Sequence, residues 1–200
     1  MINLIPKEDS ALNHLKNWRP ITLLNVDYKI ASKAIVKRME SLLPRLVHSD
    51  QTGFVKDGYI GENIRLISDI MEQTRKDNIP GIFVSLDFSK AFDALEWPCI
   101  QHALKLFNFG EGLRRWVKVF YNDIESAALN NGFATNWIKP STGVRQGCPL
   151  SLYLFILTAE LLSNKIRQSN EVKGIVMFNN EIKLSQFVDD TNLLYSDITW

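Results

Sequence analysis

An α+β fold, with helices packed on antiparallel sheets, is predicted by three features of this sequence. Apolar residues recur at helical spacing before residue 77 and again after residue 149. Short strand-like runs flank Asn-Asn-Gly and Asp-Asp turns. The helical and strand-like segments do not alternate strictly, which argues against a parallel βαβ architecture. At 200 residues and 46% hydrophobic, the chain has room for one domain or two closely packed subdomains with a real core.

The elements follow in order. Residues 1–6 read as a short strand ending at Pro6, and the polar run 7–17 as a loop. Residues 26–43 read as a helix with Ile30, Ala34, Ile35 and Met39 on its apolar face, stopped with the help of Pro44. Residues 61–76 form a second helix with Ile64, Ile67, Ile70 and Met71 inward, and Asn78-Ile79-Pro80-Gly81 breaks the chain. Residues 82–87 are an apolar run ending in a carboxylate and read as a buried strand. Residues 97–107 and 111–121 read as helices. Residues 126–129 and 133–138 flank Asn130-Asn131-Gly132, whose Asn-Gly supplies the positive φ angles of a tight hairpin. The loop 143–147 leads into a helix over 150–168. Residues 175–178 and 182–184 form a hairpin around Asn179-Asn180, and strands at 184–188 and 192–195 flank Asp189-Asp190.

Charge and cysteine usage narrow the class only slightly. Net charge is +1; residues 1–80 hold 12 Lys+Arg and 10 Asp+Glu, residues 81–200 hold 11 and 12. A nucleic-acid footprint on such a chain is local rather than global. Cys99 and Cys148 form no CxxC pair, which points to reduced thiols rather than a disulfide framework or zinc site. The N-terminus lacks the pattern of a secretory signal. The apolar stretch 149–162 is interrupted by Ser151, Thr158 and Glu160 and is too short for a bilayer. A soluble, intracellular protein without membrane partners is expected.

The chemistry concentrates in carboxylates. Asp87 ends an apolar run, and Asp189-Asp190 lies between two more. An Asp-Asp turn alone is more often only a turn. Carboxylates meeting at one sheet edge would repel one another, and a divalent cation removes that cost. Hard Mg²⁺ suits such oxygens and leaves room for substrate phosphates. The phosphoryl-transfer arrangement that uses two such ions holds them ~4 Å apart.

The surroundings of these acids are distinctive. Asn17-Trp-Arg-Pro-Ile-Thr-Leu-Leu24, Asp50-Gln-Thr-Gly-Phe54, Leu86-Asp-Phe-Ser-Lys-Ala-Phe-Asp93, Gly143-Val-Arg-Gln-Gly-Cys-Pro-Leu-Ser151 and Phe187-Val-Asp-Asp-Thr191 occur in that order. Together they closely resemble the reverse transcriptase of non-LTR (LINE-type) retrotransposons, over nearly the whole chain. The resemblance implies a right-hand polymerase. Residues 1–80 would be the first part of the fingers, and residues 81–200 a palm with an inserted helical portion. Asp87 and Asp189 would hold two Mg²⁺ (or Mn²⁺) ions, with Asp190 in support and the Phe88 carbonyl as a further ligand. Lys7 and Arg19 would grip the incoming triphosphate, and Gln146 and Gly147 would line the nucleotide pocket. Phe92, otherwise a core aromatic, would be the steric gate that selects dNTPs over ribonucleotides. RNA template and DNA primer are the implied partners.

Lys29, Lys33 and Lys37 share one face at i, i+4, i+8; such a row is a solvated face or a contact to template backbone. Arg145 faces phosphates or solvent. His14, His48 and His102 have no metal-ligand spacing. Three positions depart from the family: Val188 where Ala is common, Leu152 where Pro is usual, and Asp57-Gly58 in place of Gly-Arg. The extra bulk of Val188 is expected near the primer end. The sequence stops at Trp200, before the primer-gripping hairpin and thumb that follow in the family. These 200 residues alone are therefore expected to show little processive synthesis and to expose Leu193, Leu194 and Tyr195. Two other classes stay open: a non-catalytic retroelement remnant, and an RNA-dependent RNA polymerase, against which Phe92 argues.

Overall fold

The computed structural model describes residues 1–7, 12–177 and 179–196, with the backbone alone at Lys16. Part of the expected loop 7–17, the expected strand end Phe178, and Trp200 therefore lie outside the described residues. In chain order the elements are β1 (Ile2–Pro6), β2 (Trp18–Thr22), α1 (Val26–Met39), α2 (Leu43–Leu46), α3 (Ile60–Lys76), β3 (Ile82–Leu86), α4 (Ala91–Ala94), α5 (Trp97–Leu106), α6 (Glu111–Tyr121), β4 (Ala128–Asn130), β5 (Phe133–Ala134), α7 (Pro149–Gln168), β6 (Ile175–Met177), β7 (Asn180–Ile182), β8 (Leu184–Phe187) and β9 (Asp190–Tyr195). They form two compact units, Met1–Met39 with Lys90–Phe155 and Glu40–Ser89 with Ile156–Trp200.

The first unit carries a four-stranded sheet in the order β2-β1-β4-β5. β1 and β2 are antiparallel, with Leu4 opposite Pro20. Pro20 has no N–H to give a ladder, and the sheet edge is where a strand tolerates it. The same proline hid β2 from a pattern reading. β4 and β5 turn through Asn131 and Gly132 at φ +47° and +80°, the mirror-image turn that Asn-Gly favours. The helices bury stripes at i, i+3, i+4: Ile100, Ala103 and Leu104 on α5, and Val117, Phe120 and Tyr121 on α6. The Phe120 ring lies 4.8 Å from that of Tyr28.

That contact explains why the buried face of α1 keeps the predicted Met39 but not Ile30 and Ala34. Its buried residues are Ser32, Val36 and Met39, in line with Tyr28, while Ile30 is 64% exposed and Ala34 is exposed too. Ser32 tolerates burial because its hydroxyl donates to the Lys29 carbonyl at 3.0 Å. The helix ends at Met39, and Pro44 sits in the first turn of α2, where its missing N–H costs nothing.

The second unit is built on the antiparallel sheet β3-β9-β8 and the hairpin β6-β7. Ile82 pairs with Tyr195 and Leu86 with Thr191; Leu184 pairs with Leu193 and Phe187 with Asp190. α3 supplies Ile70, which packs with Ile175 and Leu194, joined by Leu66, Met177 and Ile182. Two expectations fail here. Ile64 and Met71 point outward. β3 is an edge strand rather than a buried one, with Ile82, Phe83 and Val84 exposed, whereas Leu194 is fully buried and Leu193 and Tyr195 half-buried. The apolar run of β3 looks core-like in sequence, but only β9 lies beside it.

A buried ionic cluster ties α7 to the segment after α2. Arg167 donates to both Asp50 oxygens at 2.9 and 2.7 Å and also binds Glu160 and Asn164. Glu160 accepts from the His48 N–H at 3.3 Å, but its Oε2 is buried without a partner. Burial pushes the Glu160 carboxyl up to about 7, Arg167 opposing and Asp50 adding to the rise. The folded chain therefore holds a proton that an ordinary glutamate, at 4.5, has lost. Between those values the native state binds more protons than the unfolded one, so stability falls as pH rises and levels off above about pH 7. Thermal melting across this range should show that decline, and Glu160→Gln should flatten it; an unchanged slope in the variant would assign the effect elsewhere.

Candidate active site

The site is at one end of the β3-β9-β8 sheet. Asp87 follows the last residue of β3, Asp190 opens β9, and Asp189 occupies the turn between β8 and β9. Because Leu86 is opposite Thr191, the register delivers all three acids to the same end, although Asp87 is distant in sequence. Asp87 and Asp190 are exposed and Asp189 is half-buried. Burial raises the Asp189 carboxyl above the ordinary range; its own N–H opposes the rise, and the charges of Asp190 and Asp87 add to it. Among the described residues no lysine or arginine pairs with any of the three.

This is the electrostatic setting in which a divalent cation is favourable: converging carboxylates with no lysine or arginine paired to them among the described residues. Among the described residues no three His, Cys, Asp or Glu side chains enclose an ion by themselves. The donor set thus fits a hard cation held by one or two carboxylates that keeps positions open for water and phosphate oxygens, as Mg²⁺ does. Phe88 follows Asp87 and is half-buried.

The turn that presents Asp189 is unusual. Val188 has φ +60°, a left-handed conformation that is a genuine outlier for a β-branched residue. Its side chain is buried, with Cγ2 against Gly53. A Cβ at Gly53 would stand 2.5 Å from the Val188 nitrogen and 2.6 Å from its Cγ2. The Gln51 amide holds the turn through both main-chain groups of Val188: Oε1 accepts from the Val188 N–H at 2.8 Å, and Nε2 donates to its carbonyl at 3.1 Å. Sequence reasoning singled out Asp50-Gln-Thr-Gly-Phe54 as a family marker without seeing this role, because the turn that Gln51 meets is 137 positions away.

The other candidates belong to the first unit. Lys7 and Arg19 are exposed, Lys7 with its main-chain N–H on the Asn17 carbonyl at 2.8 Å. Phe92 is half-buried, its ring 4.8 Å from that of Phe155. The loop 143–147 is stitched in place at both ends. The Val144 N–H donates to the Phe92 carbonyl at 2.8 Å, the Trp97 indole to the Gly143 carbonyl at 2.9 Å, and the Thr22 N–H to the Gln146 carbonyl at 2.9 Å. Gly147 has φ +99° and passes so close to β2 that a Cβ would meet the Thr22 oxygen at 3.1 Å. Phe92, Gln146 and Gly147 are thereby tied to β2, which carries Arg19. Arg145 is half-buried, its guanidinium 4.7 Å above the Tyr28 ring, a cation–π contact rather than a solvated charge. Lys29, Lys33 and Lys37 are exposed along α1, beside a groove lined also by Val26, Ile30, Ala34 and Pro149. No helix among the described residues is long and apolar enough to cross a membrane.

Comparison with known proteins gives a consistent result. The pattern of the family described as reverse transcriptase (RNA-dependent DNA polymerase) matches residues 5–199. The Transposon TX1 uncharacterized 149 kDa protein of Xenopus laevis is 34% identical over 200 residues, covering 99% of this chain and 15% of that protein. A retrovirus-related Pol polyprotein from type-1 retrotransposable element R2 of Popillia japonica is 31% identical over 196 residues, covering 96% of this chain and 26% of its own length. The chain thus spans about a seventh and a quarter of these relatives. Among solved structures, telomerase from Candida tropicalis in complex with a TWJ fragment of telomeric RNA superimposes with TM-score 0.63 at 12% identity, over 98% of this chain and 36% of that one. Apo telomerase from the same organism, truncated from its C-terminal domain, gives 0.56 at 15% identity, over 98% and 43%. The fold is therefore the mixed helix-and-sheet fold that the sequence predicted.

Proposed function

Since the chain belongs to the reverse transcriptase (RNA-dependent DNA polymerase) family, in its non-LTR retrotransposon branch, we propose that it carries the centre of an enzyme that adds dNTPs to a DNA primer on an RNA template. The observation that carries this reading is the convergence of Asp87, Asp189 and Asp190 at one sheet end, where the charges of Asp190 and Asp87 add to the raised Asp189 carboxyl. The β3-β9-β8 sheet takes the role of the palm, and residues 1–80 contribute the first part of the fingers. Asp87 and Asp189, with the Phe88 carbonyl and Asp190 in support, would hold Mg²⁺, or Mn²⁺ in its place. Bound there, such ions would supply activation of a primer 3′-hydroxyl and neutralisation of the leaving oxygen.

The remaining roles are those of this chain's side chains. Lys7 and Arg19 offset triphosphate charge as it develops. Gln146 and Gly147 shape the nucleotide pocket on a loop whose main chain is already fixed to β2 and to Phe92. The Phe92 ring, backed by Phe155, denies space to a ribose 2′-hydroxyl. Lys29, Lys33, Lys37 and Arg145 take the template backbone as a second, electrostatic layer.

The test places these 200 residues in the corresponding segment of the Popillia R2 protein and measures extension of a primed RNA template. Metal-dependent dNTP incorporation is expected; extension no greater than that of an Asp189→Asn control would overturn the reading. In the same assay Phe92→Ala should raise ribonucleotide relative to deoxyribonucleotide incorporation by ~10–200-fold, the range for one group fitted or refused by a pocket. Unchanged selectivity in a folded variant would return Phe92 to the core.

A further inference from the structure

We propose that Gln51 is a positioning residue for Asp189: its side-chain amide sets the peptide plane from which the metal-binding carboxylate projects. The inference rests on the reading of Asp189 as a metal ligand and adds a residue to which that reading gives no task.

Gln51 is 3% exposed, and every polar atom of its amide is used. Oε1 accepts from the N–H groups of Val188 at 2.8 Å and Gly53 at 2.9 Å, while Nε2 donates to the Val188 carbonyl at 3.1 Å. The two ends of the amide are not interchangeable: turning it over would set donor against donor and acceptor against acceptor. The Val188 carbonyl shares one rigid peptide plane with the Asp189 N–H. Holding Val188 at both its N–H and its carbonyl therefore fixes the main chain from which the Asp189 carboxylate projects.

The turn does not hold this geometry unaided. Only Val188 and Asp189 separate β8 from β9, and Val188 is in a strained left-handed conformation that persists only where its surroundings enforce it. The enforcement comes from a segment that is itself fixed. The Gln186 N–H donates to the Asp50 carbonyl at 2.8 Å and the Thr52 N–H to the Gln186 carbonyl at 3.0 Å, so residues 50–52 run beside β8 as a parallel rail. Asn63 braces the rail from α3, donating to Ser185 at 2.9 Å and to the Gln186 carbonyl at 3.0 Å. The Gln186 amide closes the layer, accepting from Ser163 at 2.7 Å and donating to Thr191 at 3.0 Å.

The experiment is a Mn²⁺ titration of the 200-residue chain, followed by water-proton relaxation, with thermal melting on the same samples. Compared are the parent, Asp189→Asn, Gln51→Ala, Gln51→Glu and Leu43→Ala, the last a truncation of a buried α2 side chain that makes no hydrogen bond to the turn. Gln51→Glu keeps the acceptor oxygen but sets a second acceptor against the Val188 carbonyl. Partners behind a metal ligand are typically worth ~10–100-fold in metal affinity, so both Gln51 variants should weaken Mn²⁺ binding by that factor. Leu43→Ala should lower the melting temperature while leaving Mn²⁺ affinity in place. If Gln51→Ala does not fold, Gln51→Glu decides. Parent-like Mn²⁺ affinity in a folded Gln51 variant overturns the clamp and leaves the metal site standing, provided Asp189→Asn loses binding. Mn²⁺ bound equally by parent and Asp189→Asn removes the metal reading, and the clamp with it.

Discussion

Changing Asp189 or Asp87 to asparagine is expected to remove at least ~10³-fold of the polymerisation rate, because fixed charges that place the ions supply most of the catalysis in this kind of site. The readout is extension of a primed RNA template by the R2 chimera. The two substitutions should differ in their effect on stability. Asp87 is exposed, so its neutralisation should leave melting unchanged. Asp189 is held above its ordinary range chiefly by burial, with like charges adding to it. Its asparagine variant sheds that electrostatic cost and should melt no lower than the parent. Loss of activity with unchanged or improved stability is the signature of a functional carboxylate. Near-normal extension by Asp87→Asn, or cooperative unfolding of Asp189→Asn at a much lower temperature, would contradict the assignment.

The second large effect is expected from Gly53→Ala, a change of one methyl group. The new Cβ would stand 2.5 Å from the Val188 main-chain nitrogen and 3.0 Å from the Gln51 Oε1, and neither neighbour is the free end of a flexible side chain. Overpacking of this kind costs about 1–3 kcal/mol, or about 2–12 °C in melting temperature for a chain of this size. The kinetic effect should exceed the loss of stability. Relief of the clash pushes Val188 and, with it, Asp189, and a misplacement of ~1 Å at a reacting centre can cost about 10²-fold. Primer extension by the chimera at a temperature where the variant is fully folded separates the two effects. Parent-like rates there would mean that the turn absorbs the methyl group without moving Asp189.

The sequence was informative where local chemistry and tertiary placement agree. The apolar strands around Asp189-Asp190 and the run before Asp87 placed the acids at strand ends, and Asn131-Gly132 marked its own hairpin. It misled where a residue's surroundings are decided from far away. Ile30 and Ile64 fit a helical stripe, yet the helix faces were set by Tyr28 meeting Phe120 and by Asn63 reaching Ser185 and Gln186. β3 reads as core because a pattern of side chains does not record how many strands lie beside it. Gln51 was invisible as a working residue for the same reason: its partner is 137 positions away. Nothing in a glutamine followed by Thr and Gly states that its amide will close on a valine turn.

The two units are each assembled from separated stretches of chain, and this shapes how the protein is made. As the polypeptide leaves the ribosome, Ile82–Leu86 appears long before its pairing partner Asp190–Tyr195 has been translated. At about 5–20 residues per second, that strand waits of order 5–20 s with Ile82, Phe83 and Val84 unpaired. The first sheet is delayed in the same way, since Ile2 pairs with Ala128. Neither unit can close while its later stretch is still unmade, so strand-forming apolar segments wait without their partners until that stretch has been translated.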